Sequence, residues 1–171
     1  MNIQGMSALV TGGGSGLGEA TARELARLGA KVAVLDLNLE NAQKVAADIG
    51  GIAIQCDVTN AASMENAVAE AAKAQGGARI LMQIAGIGTA KRIVGKDGNP
   101  APLEDFAKVV NVNLIGTYNA ARVFAAACAK LDPMEDGERG AMVFTASVAA
   151  FDGQVGQQAY SASKAGVAGM T

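Results

Sequence analysis

Five short runs of aliphatic and β-branched residues, at 8–11, 31–35, 52–55, 80–84 and 141–145, alternate with longer helical patterns at about 16–28, 39–49, 61–75 and 103–131. A further helical pattern opens near Gln157. Apolar runs of this length, without polar alternation, read as strands covered on both faces. Strand and helix in strict alternation demand crossover connections, and right-handed crossovers lay helices on both sides of a parallel sheet. The chain therefore predicts an α/β fold, a doubly wound parallel sheet built as one domain across 1–171. A chain of this length suits one hydrophobic core. Much of its apolar half is alanine, which favours helices packed closely on a sheet.

Two stretches break the alternation. Residues 88–102 carry Lys91, Arg92, Lys96, Asp97, Asn99 and two prolines, and residues 132–140 carry Pro133 and Gly137. Both read as surface loops. The first exceeds the ordinary connection of ~4–6 residues and fits either a functional lid or interface loop or a tolerated insertion. Residues 165–171 remain in a helical pattern with no closing turn, so the domain is expected to be incomplete at its C-terminus, truncated after the fifth strand.

The chain contains no histidine, the commonest general base and transition-metal ligand. A Ser-His-Asp hydrolase is excluded, and proton transfer falls to Tyr, Lys, Cys, a carboxylate or water. Cys56 and Cys128 lack metal or redox spacing and read as reduced structural residues, so no metal is expected. A net charge of −2 and a pI near 5.1 offer no basic stripe for nucleic acid. Arg122 and Lys130 interrupt the most apolar stretch, short of the ~18 residues that would suggest a membrane span. The opening Met1-Asn2-Ile3-Gln4-Gly5 shows none of the parts of a signal peptide, so a soluble cytoplasmic protein is expected.

The first strand runs into Thr11-Gly12-Gly13-Gly14-Ser15-Gly16-Leu17-Gly18 and then a helix. Glycines let a ligand approach the backbone, and a helix N-terminus offers unpaired N–H groups to a pyrophosphate. No lysine follows the loop, which disfavours a P-loop NTPase. Taken alone, the cluster also fits a tight turn. Asp36, however, closes the second strand 18 positions after Gly18, where a carboxylate can bond both ribose hydroxyls and repel a 2′-phosphate. The pattern is that of a Rossmann-type site favouring NAD over NADP. Asp57, in Cys56-Asp57-Val58, fits either an adenine contact or a turn aspartate.

Tyr160-Ser161-Ala162-Ser163-Lys164 places a phenol and an ammonium on one helical face. A free phenol has a pKa near 10, so service as a base near neutrality requires neighbouring positive charge. The pair also fits a half-exposed helical surface. Ser147 lies 13 residues earlier, just past the fifth strand, at the carboxyl edge where doubly wound sheets bind ligands.

In this order and spacing, the glycine motif, Asp36, Ser147 and Tyr160/Lys164 resemble the short-chain dehydrogenase/reductase family over the whole chain. The resemblance implies a tyrosine acid or base at Tyr160, and a lysine at Lys164 that supports it and binds the nicotinamide ribose. It implies a substrate-positioning serine at Ser147. It also implies an asparagine holding a relay water, matched by Asn113 in Val112-Asn113-Leu114 in preference to Asn111, whereas Tyr118 reads as a packing or interface residue. The NAD-binding residues implied are Gly12, Ser15, Gly16, Leu17, Gly18, Asp36, Asp57, Val58, Ala85 and Gly86, with Tyr160 and Lys164. One departure appears after the fourth strand: Gln83-Ile84-Ala85-Gly86 has glutamine where the family has asparagine.

The segment from Ala146 to Gln157 is similar to the 3-hydroxyacyl-CoA dehydrogenase branch of that family. This implies oxidation of a 3-hydroxyacyl-CoA to a 3-oxoacyl-CoA in fatty acid metabolism, with Gln154 and Gln157 as substrate contacts, and a homodimer or homotetramer. The alternatives are a family member acting on a steroid, sugar or acyl-carrier substrate, and a non-catalytic NAD-binding regulator.

Overall fold

A computed structural model describes all of residues 1–171. Strands β1 (Ser7–Thr11), β2 (Lys31–Asp36), β3 (Ile52–Gln55), β4 (Ala78–Gln83) and β5 (Ala141–Phe144) form one sheet in the order β3-β2-β1-β4-β5. Every neighbouring pair is parallel. The chain winds outward from β1 to β3, then returns to the other side of β1 to lay down β4. The switch point therefore falls between β1 and β4, and a crevice opens beyond their carboxyl ends.

Alternation along the strands builds two cores. Val10, Val32 and Val34 face Ala22, Val45 and Ala46 on helices α1 (Gly16–Arg27) and α2 (Leu39–Ile49). On the opposite face Leu9, Ala33 and Leu35 join a cluster with Met64 and Ala67 of α3 (Ala61–Gln75) and with Phe124 of α5 (Gly116–Cys128), which follows helix α4 (Leu103–Val110) in the chain. Each fully buried Val or Leu contributes ~1.5–3 kcal/mol, and the interleaved alanines let the helices approach the sheet closely. At the edge, Met142 and Val143 of β5 remain 43% and 48% exposed.

The helix expected over 103–131 is one helical body with a fault in it. Between α4 and α5 lies a π-helical turn, Asn111–Ile115, closed by the Gly116 N–H on the Asn111 carbonyl. The extra residue widens the coil, and a 3.6-residue periodicity is too coarse to register it. The 88–102 segment forms an open hairpin with a lone antiparallel bridge between Val94 and Pro100. It is tied down at Lys91, whose N–H donates to the Gly156 carbonyl at 2.9 Å. No helix is long and apolar enough to cross a membrane.

Candidate active site

The glycine loop is shaped by close backbone approach. A β-carbon on Gly12 would stand 2.8 Å from the Ala85 Cα, and one on Gly18 1.9 Å from the Gly12 carbonyl oxygen. Gly16 has a φ of +53°, and the space its missing side chain would fill is open, leaving bare backbone facing a ligand. Ser15 caps α1 in an extended conformation without a side-chain hydrogen bond, so the first-turn N–H groups remain available to an anion. Asp36 braces this loop: its Oδ2 accepts from the Gly14 N–H and its Oδ1 from the Asn38 N–H, each at 2.9 Å. Both oxygens keep lone pairs for ribose hydroxyls.

Gly12, Ser15, Gly16, Leu17, Gly18, Asp36, Asp57, Val58, Ala85 and Gly86 all line one cavity of about 620 Å³. Its glycine cradle, bare helix terminus and terminal carboxylate fit a dinucleotide. Asp57 also performs its turn function, since its Oδ1 accepts from the Thr59 N–H at 2.9 Å and hydroxyl at 2.7 Å. Lys108 and Val112 line the same cavity and were not singled out in the sequence. Their i,i+4 spacing is the signal that was available.

A second cavity of about 560 Å³ shares Leu17, Ile84, Gly86 and Ile87 with the first. Tyr160 and Lys164, on helix α6 (Gln158–Ala168), open onto it with Thr145 and Gln157. Lys164 is only 5% exposed, and burial lowers the pKa of its ammonium. Its Nζ donates to the Thr145 carbonyl at 2.5 Å. Gly86 is wedged beside it, where a β-carbon would lie 3.2 Å from Asn113 Oδ1 and 3.7 Å from Lys164 Nζ.

Asn113 is fully buried, whereas Asn111 and Tyr118 are exposed. Its Nδ2 donates to the Ile87 carbonyl at 2.9 Å and to Ser163 Oγ at 3.0 Å, while its Oδ1 accepts from the Ile87 N–H at 2.8 Å. Both amide protons are thus engaged with protein. Ser163, which sequence reasoning passed over, donates in turn to the Tyr160 carbonyl at 2.7 Å. Its place between Tyr160 and Lys164 was the only sign.

Ser147 caps a 3₁₀ turn, Val148–Ala150, with its Oγ accepting from the Ala149 N–H at 3.2 Å. That leaves its own proton free to donate. It does not line the cavity that Tyr160 opens onto, and neither does Gln154, whose side chain is exposed. Gln157 does line it, and its Oε1 accepts from the Gln154 N–H at 3.4 Å.

Both cysteines are free and buried. Burial pushes the Cys56 thiol up to about 11 and also raises Cys128, which leaves neither as a thiolate near neutrality. In the 88–102 hairpin, Lys91 is paired with Asp105, while Arg92 and Lys96 have no acidic partner.

Residues 6–171 match the family model for short chain dehydrogenase. The chain is 44% identical over 172 residues to the 3-hydroxyacyl-CoA dehydrogenase type-2 of Drosophila melanogaster, covering 99% of this chain and 68% of that protein. The Homo sapiens protein of the same name is 42% identical, with 99% and 66% covered. A crystal structure of 3-hydroxyacyl-CoA dehydrogenase type-2 from Mycobacterium avium superposes with a TM-score of 0.92 at 45% identity, covering 98% of this chain and 66% of that one. The chain spans about two thirds of the length of these relatives.

Proposed function

Because the chain belongs to the short-chain dehydrogenase family, we propose that the protein is an NAD-dependent oxidoreductase converting a 3-hydroxyacyl-CoA to a 3-oxoacyl-CoA and back. The observation that carries this reading is the junction of two cavities at Gly86 and Ile87, one fit for a dinucleotide and the other holding Tyr160 and Lys164. NAD is favoured over NADP by Asp36, whose carboxylate would repel a 2′-phosphate. The acyl-CoA substrate rests on the names of the relatives and on the 146–157 segment.

In the oxidative direction the Tyr160 phenolate oxygen takes the proton of the substrate hydroxyl. A bound nicotinamide would supply the acceptor for the hydride leaving the carbon that bears that hydroxyl. The family resemblance adds a donor to the reacting oxygen, Ser147 Oγ, whose proton is free although its side chain stands outside the lining of the Tyr160 cavity. Lys164 has one ammonium proton held by Thr145 and two left for ribose hydroxyls. Asn113 acts through what it holds: Ile87 at the cavity wall and Ser163 beneath Tyr160. A homodimer or homotetramer accompanies this reading.

The test is absorbance at the NADH band after adding NAD and 3-hydroxybutyryl-CoA to the full-length protein, with NADP and free 3-hydroxybutyrate in parallel. Turnover with NAD and thioester well above the other combinations is expected. Equal rates for thioester and free acid would remove the acyl-CoA assignment, and no NADH with any secondary alcohol would remove the enzymatic one.

A further inference from the structure

Gln83, where the family pattern has asparagine, is 1% exposed and lies at the end of β4 between Thr11, where β1 meets the glycine loop, and Thr117 in the first turn of α5. Its surroundings fix which way its amide points. The Thr11 hydroxyl accepts from the Ile84 and Ala85 N–H groups, each at 3.2 Å, so its own proton must go elsewhere. It goes to Gln83 Oε1 at 2.6 Å. The Gln83 Nε2 is thereby turned toward Thr117, whose hydroxyl accepts at 3.5 Å and donates to the Asn113 carbonyl at 2.6 Å. Asn113 Nδ2 then donates to Ser163, and Ser163 to the Tyr160 carbonyl.

We infer that Gln83 is a positioning residue, the joint of a one-directional hydrogen-bond chain that couples the glycine loop to the placement of Tyr160. Thr11, Gln83, Thr117, Asn113 and Ser163 are all buried, so water cannot substitute readily for a missing link. The link from Gln83 to Thr117 is the longest in the chain, and an asparagine, one methylene shorter, could not hold Thr11 and span it at once. The glutamine is therefore a working part of this chain's site. Its function in positioning Tyr160 rests on the dehydrogenase reading above, while the coupling itself does not.

Two measurements on the full-length protein separate these. The first is amide hydrogen exchange at Ile84, Ala85 and Ile87 with and without NAD. In the wild type, NAD is expected to protect Ile87, which sits beyond Gln83 on Asn113. In Gln83→Met, NAD affinity should stay within about threefold, with Ile84 and Ala85 still protected while the NAD-dependent protection of Ile87 is lost. The second is turnover: kcat should fall about tenfold with little change in KM, the midpoint of the kcat–pH profile should move, and the solvent isotope effect should rise as proton transfer becomes limiting. Thr117→Val cuts the same chain one link further and should reproduce both signatures, which keeps the test valid where Gln83→Met folds poorly. Unchanged Ile87 protection in both variants overturns the inference even in an active enzyme. So does a fall in kcat matched by loss of folded protein, with pH midpoint and isotope effect unmoved. Lost Ile87 coupling in a protein that turns over no alcohol would uphold the coupling, remove the placement of Tyr160 as its purpose, and defeat the dehydrogenase reading.

Discussion

Lys164 Nζ stands 5.7 Å from the centroid of the Tyr160 ring, while its hydrogen bond runs to the Thr145 carbonyl. The ammonium is thus held by backbone and stands within cation–π reach of the Tyr160 ring. It is a buried charge with no carboxylate partner, which is a cost to folding. Burial lowers the Lys164 pKa in the folded state, so the unfolded chain binds the proton more tightly. The resulting destabilisation is fully present below the folded pKa, and it fades as pH rises from there toward the unfolded value near 10.4. Lys164→Met should therefore raise the urea midpoint relative to wild type at neutral pH, by an increment that shrinks with rising pH, while abolishing most turnover. An increment that grows with pH would contradict this sign.

On the proposed mechanism, Tyr160→Phe deletes the proton acceptor and almost no surface. Turnover should drop by ~10²–10⁴-fold, with the NAD dissociation constant near wild type by calorimetry. Retention of a tenth or more of wild-type kcat would show that another group moves the proton.

Asp36 braces Gly14 and, on the proposed reading, also meets the ribose, and its variants should separate the two. Asp36→Ala loses the ribose contacts and the brace on Gly14, so NAD affinity should fall about tenfold or more, the kcat/KM ratio of NADP to NAD should rise, and Tm should drop. Asp36→Asn still accepts from one of the two backbone N–H groups and should recover much of the Tm without the NAD preference. An unchanged cofactor ratio in both would mean that this carboxylate does not meet the ribose.

The fold was legible because strand and helix periods differ and the order of elements leaves few topologies. The fault at Asn111–Ile115 was not, since one inserted residue barely disturbs the apolar stripe. Tyr160 and Lys164 could be paired from i,i+4 spacing, and the glycine loop from its density of glycines. Thr117 carried no such signal, and Gln83 showed only as a departure from the family pattern, without its partners: Thr11 and Gln83 are 72 residues apart, and only folding makes them neighbours. Likewise, sequence sets Lys91, Arg92 and Lys96 side by side in one loop without distinguishing them, whereas the fold pairs Lys91 with Asp105.

Gly86 lies where no side chain fits comfortably. A methyl group 3.2 Å from Asn113 Oδ1 is tighter than ordinary contact, so Gly86→Ala must shift the Asn113 amide by a few tenths of an ångström, whereas the 3.7 Å to Lys164 Nζ is ordinary contact. The expected cost is ~1–3 kcal/mol in stability, with a fall in kcat larger than the change in NAD affinity. Wild-type kcat in this variant would mean that Asn113 tolerates displacement.

The hairpin cations give a graded test of the acyl-CoA reading. Lys91 is occupied by Asp105 and anchored through its N–H to Gly156, so its work is to hold the hairpin against the loop that precedes Tyr160. Arg92 and Lys96 are exposed and unpaired, leaving them as the cations available to a nucleotide's phosphates. Exposed charges of this kind contribute up to ~1 kcal/mol each, and beyond a Debye length of ~10 Å at 0.1 M salt they are screened. Arg92→Ala should thus lower kcat/KM for 3-hydroxybutyryl-CoA about fivefold at low salt and much less at 0.5 M, while leaving a short thioester that lacks the nucleotide unaffected. Lys91→Ala should lower kcat/KM for both substrates alike, with little dependence on salt. Equal losses on the two substrates in Arg92→Ala would show that the hairpin's free cations play no part in holding coenzyme A.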